Sequence, residues 1–515
     1  IFNYSICTQK QNIDEKLIDS ILKDIEKRVS LSLCDFEFLP VAITSNILIA
    51  SYNACENNHI EELKQLIILA KNLALIDFDE LLINNYSVEK VLLKDPSKTY
   101  DKLTDESKHF FRRTIVKIAE KTNTGEYEVA AEALLKAKAA IIGTKENDIG
   151  YHIINHHAIV SKRVNIGKGA IKSAYILTFI TSVLLAAAAE SASVFFLTLL
   201  PLYDFFKFII NDIMLTAVDR AYIPKIDINK IEKIPVTAVV VSVLVTKTED
   251  CKALYSRLEE LYYSNNLANV VFCVLADYKE NEYPSTPHDD ILLQSAISEI
   301  NKLNSIYKDK FMLFFRSKSY SKTQGSFSGW ERKRGAVTEF IRLINGECKP
   351  SHCFIGCEKL LKEIKYLVVL DADTQMSFDS IGLLIGAAIH PLNKAVLDKS
   401  GEFVAEGYGI FTPQIDIEFD SCKKTKFTKL MSSATGISQY QTLFPDFYQD
   451  TFGESLFCGK GLIDVDAFYK VLNNKFPQEK ILSHDIVEGE FLRTAFVSDV
   501  KMYDGIPSNP ISWHT

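Results

Sequence analysis

From Pro224 onward the sequence alternates short β-branched or aromatic runs with amphipathic stretches of helical period. This alternation constrains the fold more than any other feature. IPVTAVVVSVLVTK reads as a buried strand, DCKALYSRLEELYYS as an amphipathic helix, and NVVFCVLADYKE as a second strand ending near Asp277. DDILLQSAISEINKLNSIY, KFMLFFRS and RKRGAVTEFIRLING continue as helix, strand and helix. Strands alternating with helices over such a length predict an α/β fold with a mostly parallel sheet. The first strand ends without a G-x-G-x-x-G turn, which argues against a dinucleotide-binding Rossmann domain.

The next strand, in KYLVVLDADTQM (residues 365–376), ends in Asp371-Ala372-Asp373. Ligands of open α/β sheets bind just past the carboxyl ends of strands. Two carboxylates at that place come within reach of one cation, and Mg²⁺ is usually held by one or two carboxylates plus substrate phosphates. A metal–diphosphate site is one reading; an ordinary polar loop is the other. Further pieces offer to converge on it. GWERKRG (residues 329–335) opens a helix with three cations, FGESLFCGKG (452–461) is a glycine-punctuated loop, and LSHDIVEGEFLR (482–493) sets His484, Asp485 and Glu488 at the head of a helix.

Residues 1–165 read as helices: NIDEKLIDSILKDIEKRV puts Ile13, Leu17, Ile21, Ile25 and Val29 on one stripe, with Asn12 as N-cap. His152 and His156, spaced i, i+4, have no evident third metal ligand, and Cys348, Cys353 and Cys357 around His352 match no paired C-x₂-C knuckle. The ten cysteines are irregularly spaced in 515 residues, which fits reduced thiols rather than a disulfide framework. A net charge of −8 with no strongly basic domain gives no electrostatic case for nucleic acid.

Two apolar runs break this soluble pattern. AYILTFITSVLLAAAA (174–189) is uncharged, and SASVFFLTLLPLYDFFKFIINDIML (191–215) is interrupted by Asp204, Lys207 and Asp212. Together they fit a helical hairpin in a lipid bilayer, where a span needs about 20 apolar residues; a buried core hairpin is the alternative. Lys162, Arg163, Lys168 and Lys172 precede the hairpin and Arg220 and Lys225 follow it. Positive flanks on both sides place both in the cytoplasm.

GWERKRG, DADTQMS, IHPLNKA, YQDTFGESLFCGKGLIDVDAF and ILSHDIVEG occur here in the order of a processive, inverting glycosyltransferase of the GT-A type. More closely, this series resembles the glucosyltransferase region of cyclic β-1,2-glucan synthases, with motifs like DADTQLP, AHPLNRP and LLSHDLFEG. DPSKTYDKLTDESKHFFRRTIVKIAE, from Asp95, is similar to that family's segment ahead of its membrane helices, so the resemblance runs from there to the last residue. It implies a GT-A type, Rossmann-like sheet over 225–515, preceded by an α-helical region (1–165) and a transmembrane helical hairpin (166–216). The implied reaction moves glucose from UDP-glucose to a growing β-1,2-glucan acceptor, on a multi-pass protein of the cytoplasmic membrane whose catalytic domain faces the cytoplasm.

The resemblance also implies roles for individual residues. Asp373, with Asp371 beside it, would hold Mg²⁺ or Mn²⁺ against the donor diphosphate. Asp277 would contact the uridine or ribose. Lys333 and Arg334, near a helix N-terminus, would favour phosphate. Asp485 would be the base, with Glu488 the runner-up one helical turn on; a helix-capping role is the alternative for Asp485. Trp330 would stack on a sugar or sit in the core, and Gly459, Lys460, Gly461 and His484 would line the acceptor or donor pocket. Residue 1 is Ile rather than Met and the last residues, NPISWHT, do not look like a natural domain end, so we expect both ends to be cut from a longer parent chain; the family's R-x-x-R-W signature would fall just after Thr515, and its phosphorylase-like region is absent. The competing expectations are a related β-glycan synthase of another linkage and a non-catalytic membrane scaffold or glycan-binding module.

Overall fold

The computed structural model describes residues 14–160, 168–188, 191–217, 220–347, 349, 352–432, 446–477, 479–481, 484–509 and 511–512. Asn12, Ile13 and Cys348 lie outside the described residues. The chain divides into two compact units, Ile1–Lys162 and Arg163–Thr515.

The first unit is helical, with eight α-helices among its described residues, from Glu15–Glu26 to Ile149–Val160. The first helix is capped by Asp14, whose side chain accepts from Leu17 N at 2.9 Å. It buries Ile18 and Leu22 rather than the expected stripe, and Val29 is exposed. Asn85, on the Phe78–Asn85 helix, donates to Asp19 at 2.8 Å. A buried Glu89 accepts from Arg112 Nε and the Tyr100 hydroxyl, both at 2.8 Å, and joins three segments of the unit. His152 Nε2 lies 2.8 Å from the Glu146 carbonyl.

In the second unit the Lys168–Ala186 and Ala192–Ala217 helices pack against each other. By length and composition Ala192–Met214 is apolar enough to cross a membrane, while the apolar stretch Lys172–Ala186 is shorter. Leu33–Glu56 of the first unit meets the same criterion, but it buries Leu33, Phe36, Leu39, Ile43 and Ile47 within that unit.

The rest of the second unit is built on a nine-stranded sheet. Its strands are β1 (Thr237–Val245), β2 (Val270–Tyr278), β3 (Phe311–Phe315), β4 (Cys353–Ile355), β5 (Tyr366–Asp371), β6 (Gln375–Met376), β7 (Ile410–Ile417), β8 (Gly461–Asp464) and β9 (Thr494–Asp504). The order across the sheet is β4-β3-β2-β1-β5-β8-β7-β9-β6. The long pairings β3–β2, β2–β1, β1–β5 and β7–β9 are parallel; β8 runs antiparallel to both neighbours, and the short edge strands β4 and β6 are antiparallel too. The α/β class and the mostly parallel sheet are as the sequence predicts.

Both faces are covered, which explains why β1, β2 and β3 are nearly continuous apolar runs rather than alternating. Val239, Val241 and Phe272 face the Thr248–Ser264, Pro287–Tyr307 and Ser380–Ile389 helices, while Ala238, Val240 and Cys273 face Arg332–Ile344 and Val465–Leu472. The parallel register then gathers chemistry at one edge. Asp371 ends β5 opposite Ser242, Asp277 lies near the end of β2, and Asp504 ends β9 opposite Ile417. The reversed β8 begins at this edge, with Gly461 opposite Val369, so Lys460 arrives beside the end of β5. Gly461 has φ +129°, and a Cβ there would lie 2.3 Å from the Phe411 carbonyl, so only glycine fits this register.

Candidate functional site

A single cation organises one side of the edge. Arg316 directly follows β3, is fully buried, and binds Asp277 through both oxygens, Nε–Oδ1 at 2.7 Å and Nη2–Oδ2 at 2.5 Å. Its Nη1 reaches Glu339 at 3.0 Å and the Trp330 carbonyl at 2.9 Å, and Nη2 reaches the Arg332 carbonyl at 2.8 Å. Glu339 also meets Lys349. Burial would raise the Glu339 carboxyl, but His352, Lys349 and Arg316 outweigh it and hold it at about 2.

The two carbonyls belong to a turn that needs holding. Glu331 and Arg332 have φ +47° and +48°, a left-handed conformation that costs about 1–3 kcal/mol at a non-glycine residue. A Cβ on Gly335 would lie 1.7 Å from the Trp330 carbonyl, and one on Gly329 would lie 2.6 Å from Asp277 Cγ. The glycines of GWERKRG thus let the turn close onto Arg316 and Asp277. Trp330 sits under the Arg342 guanidinium, 5.5 Å from its ring centroid.

At the end of β5, Asp371 is held between two ammonium groups. Lys333 Nζ lies 2.5 Å from Oδ1 and Lys460 Nζ 2.9 Å from Oδ2. Burial would raise the Asp371 carboxyl, but the two lysines hold it below its ordinary value. Lys333 also donates to the Gly459 carbonyl at 2.7 Å, tying the Arg332–Ile344 helix to the glycine loop. Lys460 pairs in addition with Asp504, whose other oxygen accepts from Thr374 at 2.8 Å. Asp373 is exposed and has no ion pair among the described residues.

A cleft of about 260 Å³ opens beside this cluster. Lys333, Arg334, Gly459, His484, Asp485 and Glu488 supply its polar wall, and Val337, Val369, Phe457, Ile463 and Phe468 its apolar floor. Gly459 has φ +81°, and a Cβ there would come within 2.9 Å of Asp485 Oδ2, so the loop lies directly against that carboxylate. Burial raises the Asp485 carboxyl; Asp371 adds to the rise and Lys333 opposes it. Glu488 lies behind, buried, with Arg334 Nε at 2.9 Å; burial pushes its carboxyl up to about 7 against the pull of Arg334. Burial, with Arg334 adding to it, lowers the His484 imidazole. Of the residues singled out in the sequence, Lys333, Arg334, Gly459, His484, Asp485 and Glu488 line the cleft, and Asp371, Lys460 and Gly461 adjoin it. Asp277 and Trp330 lie instead in the Arg316 cluster.

Among the described residues no three His, Cys, Asp or Glu side chains are arranged to hold a metal. The exposed Asp373 beside Asp371 fits a divalent cation shared with phosphates, a coordination typical of Mg²⁺, and not a cage made of protein. Arg316 and Asp504 escaped the sequence reading. Their one visible signal is an ionisable residue at the end of an apolar strand, KFMLFF-R and VKMY-D.

The fold and this edge together define a mixed α/β protein with a cleft of paired carboxylates and cations past its strand ends. No protein-family model matches the chain. Among curated proteins it is similar to the cyclic beta-(1,2)-glucan synthase NdvB of Rhizobium meliloti (strain 1021), 31% identical over 276 residues. The matched stretch is 53% of this chain and 10% of that protein. The resemblance read from the motifs therefore has a counterpart in a curated glucan synthase, of which the match spans about a tenth.

Proposed function

We propose that this chain is the glucosyltransferase portion of a membrane-bound glucan synthase, moving glucose from UDP-glucose to a growing β-1,2-glucan with inversion. The observation that carries the reading is the convergence of Lys333, Asp485 and the lysine-held Asp371 at one cleft on the carboxyl edge of the sheet, with Asp373 two residues past Asp371. The similarity to a cyclic β-1,2-glucan synthase supports it, and the apolar Ala192–Met214 helix supports a membrane location.

In this reading the donor diphosphate lies along the first turn of the Arg332–Ile344 helix, where the side chains of Lys333 and Arg334 and the positive end of the helix dipole favour anions. Asp373 would hold Mg²⁺ or Mn²⁺ there, and the ion's chemistry is to neutralise charge growing on the leaving UDP. The acceptor hydroxyl approaches C1 of glucose from the face opposite UDP. A C1–O bond to the acceptor forms, the C1–O bond to phosphate breaks with its electrons leaving on UDP, and the hydroxyl proton passes to Asp485. A raised carboxyl is a stronger base, and a positioned base contributes typically ~10²–10⁴-fold. Glu488, bonded to Arg334, is better suited to fixing the cleft wall.

UDP release from UDP-glucose, followed in the full-length parent enzyme, tests the assignment. Asp485→Asn should lower turnover by at least ~10²-fold while leaving donor binding nearly intact. Glu488→Gln should be milder. An active Asp485→Asn beside a dead Glu488→Gln would exchange the roles, and two active variants would move the acceptor face elsewhere.

A further inference from the structure

Asp371 ends β5 and Asp504 ends β9, and Lys460 joins them; a third carboxylate, Asp373, follows two residues after Asp371, and a Cβ built on Gly505 would lie 3.9 Å from its Oδ2. Two of the three are already engaged. Asp371 has one oxygen on Lys333 and the other on Lys460, and Asp504 has one on Lys460 and the other on Thr374. Thr374 is itself fully buried, and its carbonyl accepts from Arg257 at 2.5 Å. Lys460 is buried too, and its stem leaves the chain one residue before β8, whose register Gly461 enforces. Its ammonium group therefore sits between the two carboxylates as a fixed part of the fold.

We propose that Lys460 is a positioning residue that suppresses metal binding in the absence of nucleotide, leaving Asp373 as the one carboxylate open to a cation. The proposal rests on the metal–diphosphate reading above. Three negative charges face two ammonium groups, so a lone divalent ion meets a nearly balanced cluster. A nucleoside diphosphate carries its own negative charge into the cleft and restores the attraction. Metal and nucleotide then load together, and the site does not hold a bare ion that binds other phosphates.

Mn²⁺ uptake by the full chain in detergent micelles, read from loss of the free-ion electron paramagnetic resonance signal, tests this without turnover. With no nucleotide present, Lys460→Gln should bind Mn²⁺ more tightly than wild type by on the order of tenfold or more, since a unit charge a few ångströms from the ion is removed. Lys460→Arg should stay at the wild-type level, and adding Asp373→Ala to Lys460→Gln should abolish the gain. If Lys460→Gln does not fold, Lys460→Met with Asp504→Leu leaves neither buried charge unpaired; it loses one charge of each sign, so its reference is Asp504→Leu alone, which it should exceed in Mn²⁺ affinity. A folded Lys460 variant that binds Mn²⁺ no more tightly than its reference overturns the proposal. UDP added to wild type is a separate arm. If it fails to increase Mn²⁺ uptake, the metal–diphosphate reading falls, while the nucleotide-free comparison still decides the role of Lys460.

Discussion

Arg316→Met is expected to be among the most damaging single changes in the sheet unit. The guanidinium is fully buried and satisfies two buried carboxylates and two backbone carbonyls. Breaking a buried charge pair by removing one partner costs about 3–5 kcal/mol, because the other charge is left stranded. Each carbonyl left without a donor adds about 1–3 kcal/mol, and the strained Glu331–Arg332 turn loses what holds it. Even with relaxation, a loss of about 5 kcal/mol is expected, a large part of a typical total stability of about 5–15 kcal/mol. The chain has two tryptophans and Trp330 lies in the affected turn, so urea unfolding in detergent followed by tryptophan fluorescence reports on it directly. Arg316→Lys should be intermediate, since an ammonium group cannot reproduce the two-pronged contact with Asp277. Adding Asp277→Asn and Glu339→Gln to Arg316→Met should recover a substantial fraction by removing the stranded charges. A loss below about 1 kcal/mol for Arg316→Met, or no recovery in the triple variant, would refute the reasoning.

Glu488 makes stability depend on pH. Its carboxyl is raised from 4.5 to about 7 by burial, so the folded state holds that proton more tightly than the unfolded chain does. The contribution is full below about 4.5 and is lost as pH rises through about 7. The unfolding midpoint should fall across that window, and Glu488→Gln should flatten the fall; an unchanged slope would count against it. For topology, a cysteine placed at Lys172 or Lys230 should resist an impermeant thiol reagent in intact cells, and labelling at either position would reverse the expected orientation.

β1, β2, β3 and β5 are legible because each is a β-branched or aromatic run; the three-residue β4 at Cys353–Ile355, where the sequence suggests a loop, is too short to show a period. The last third is not legible either. β7 carries Pro413 in its interior, which ordinarily argues against a strand, and the pairing with β9 slips in register just after it. β8 is four residues long and enters from a glycine loop, so periodicity had nothing to register. The DAD strand end and the cations of GWERKRG were visible as chemistry, but their partners were not. Lys333 and Asp371 are 38 residues apart, and no local pattern announces that Asp371 is shared between two lysines. Asp277 shows the converse. A carboxylate at a strand end reads as a ligand contact, whereas here an arginine that follows the next strand occupies both its oxygens.

The reversed strand β8 and the late strand β9 also set a timetable. The Arg316 cluster has all its members once Glu339 has been synthesised, but the Lys460 bridge needs Asp504. At a translation rate of about 5–20 residues per second, the interval between them is roughly 10–30 s. From the completion of β5 at Asp371 until Lys460 and β8 have been made, roughly 5–20 s of that time at the same rate, Asp371 lacks its second cation and β5 lacks β8, its neighbour on one side. A nascent chain in this window exposes an apolar sheet edge, so the cluster that organises the finished site is also the last part of the sheet to be sealed.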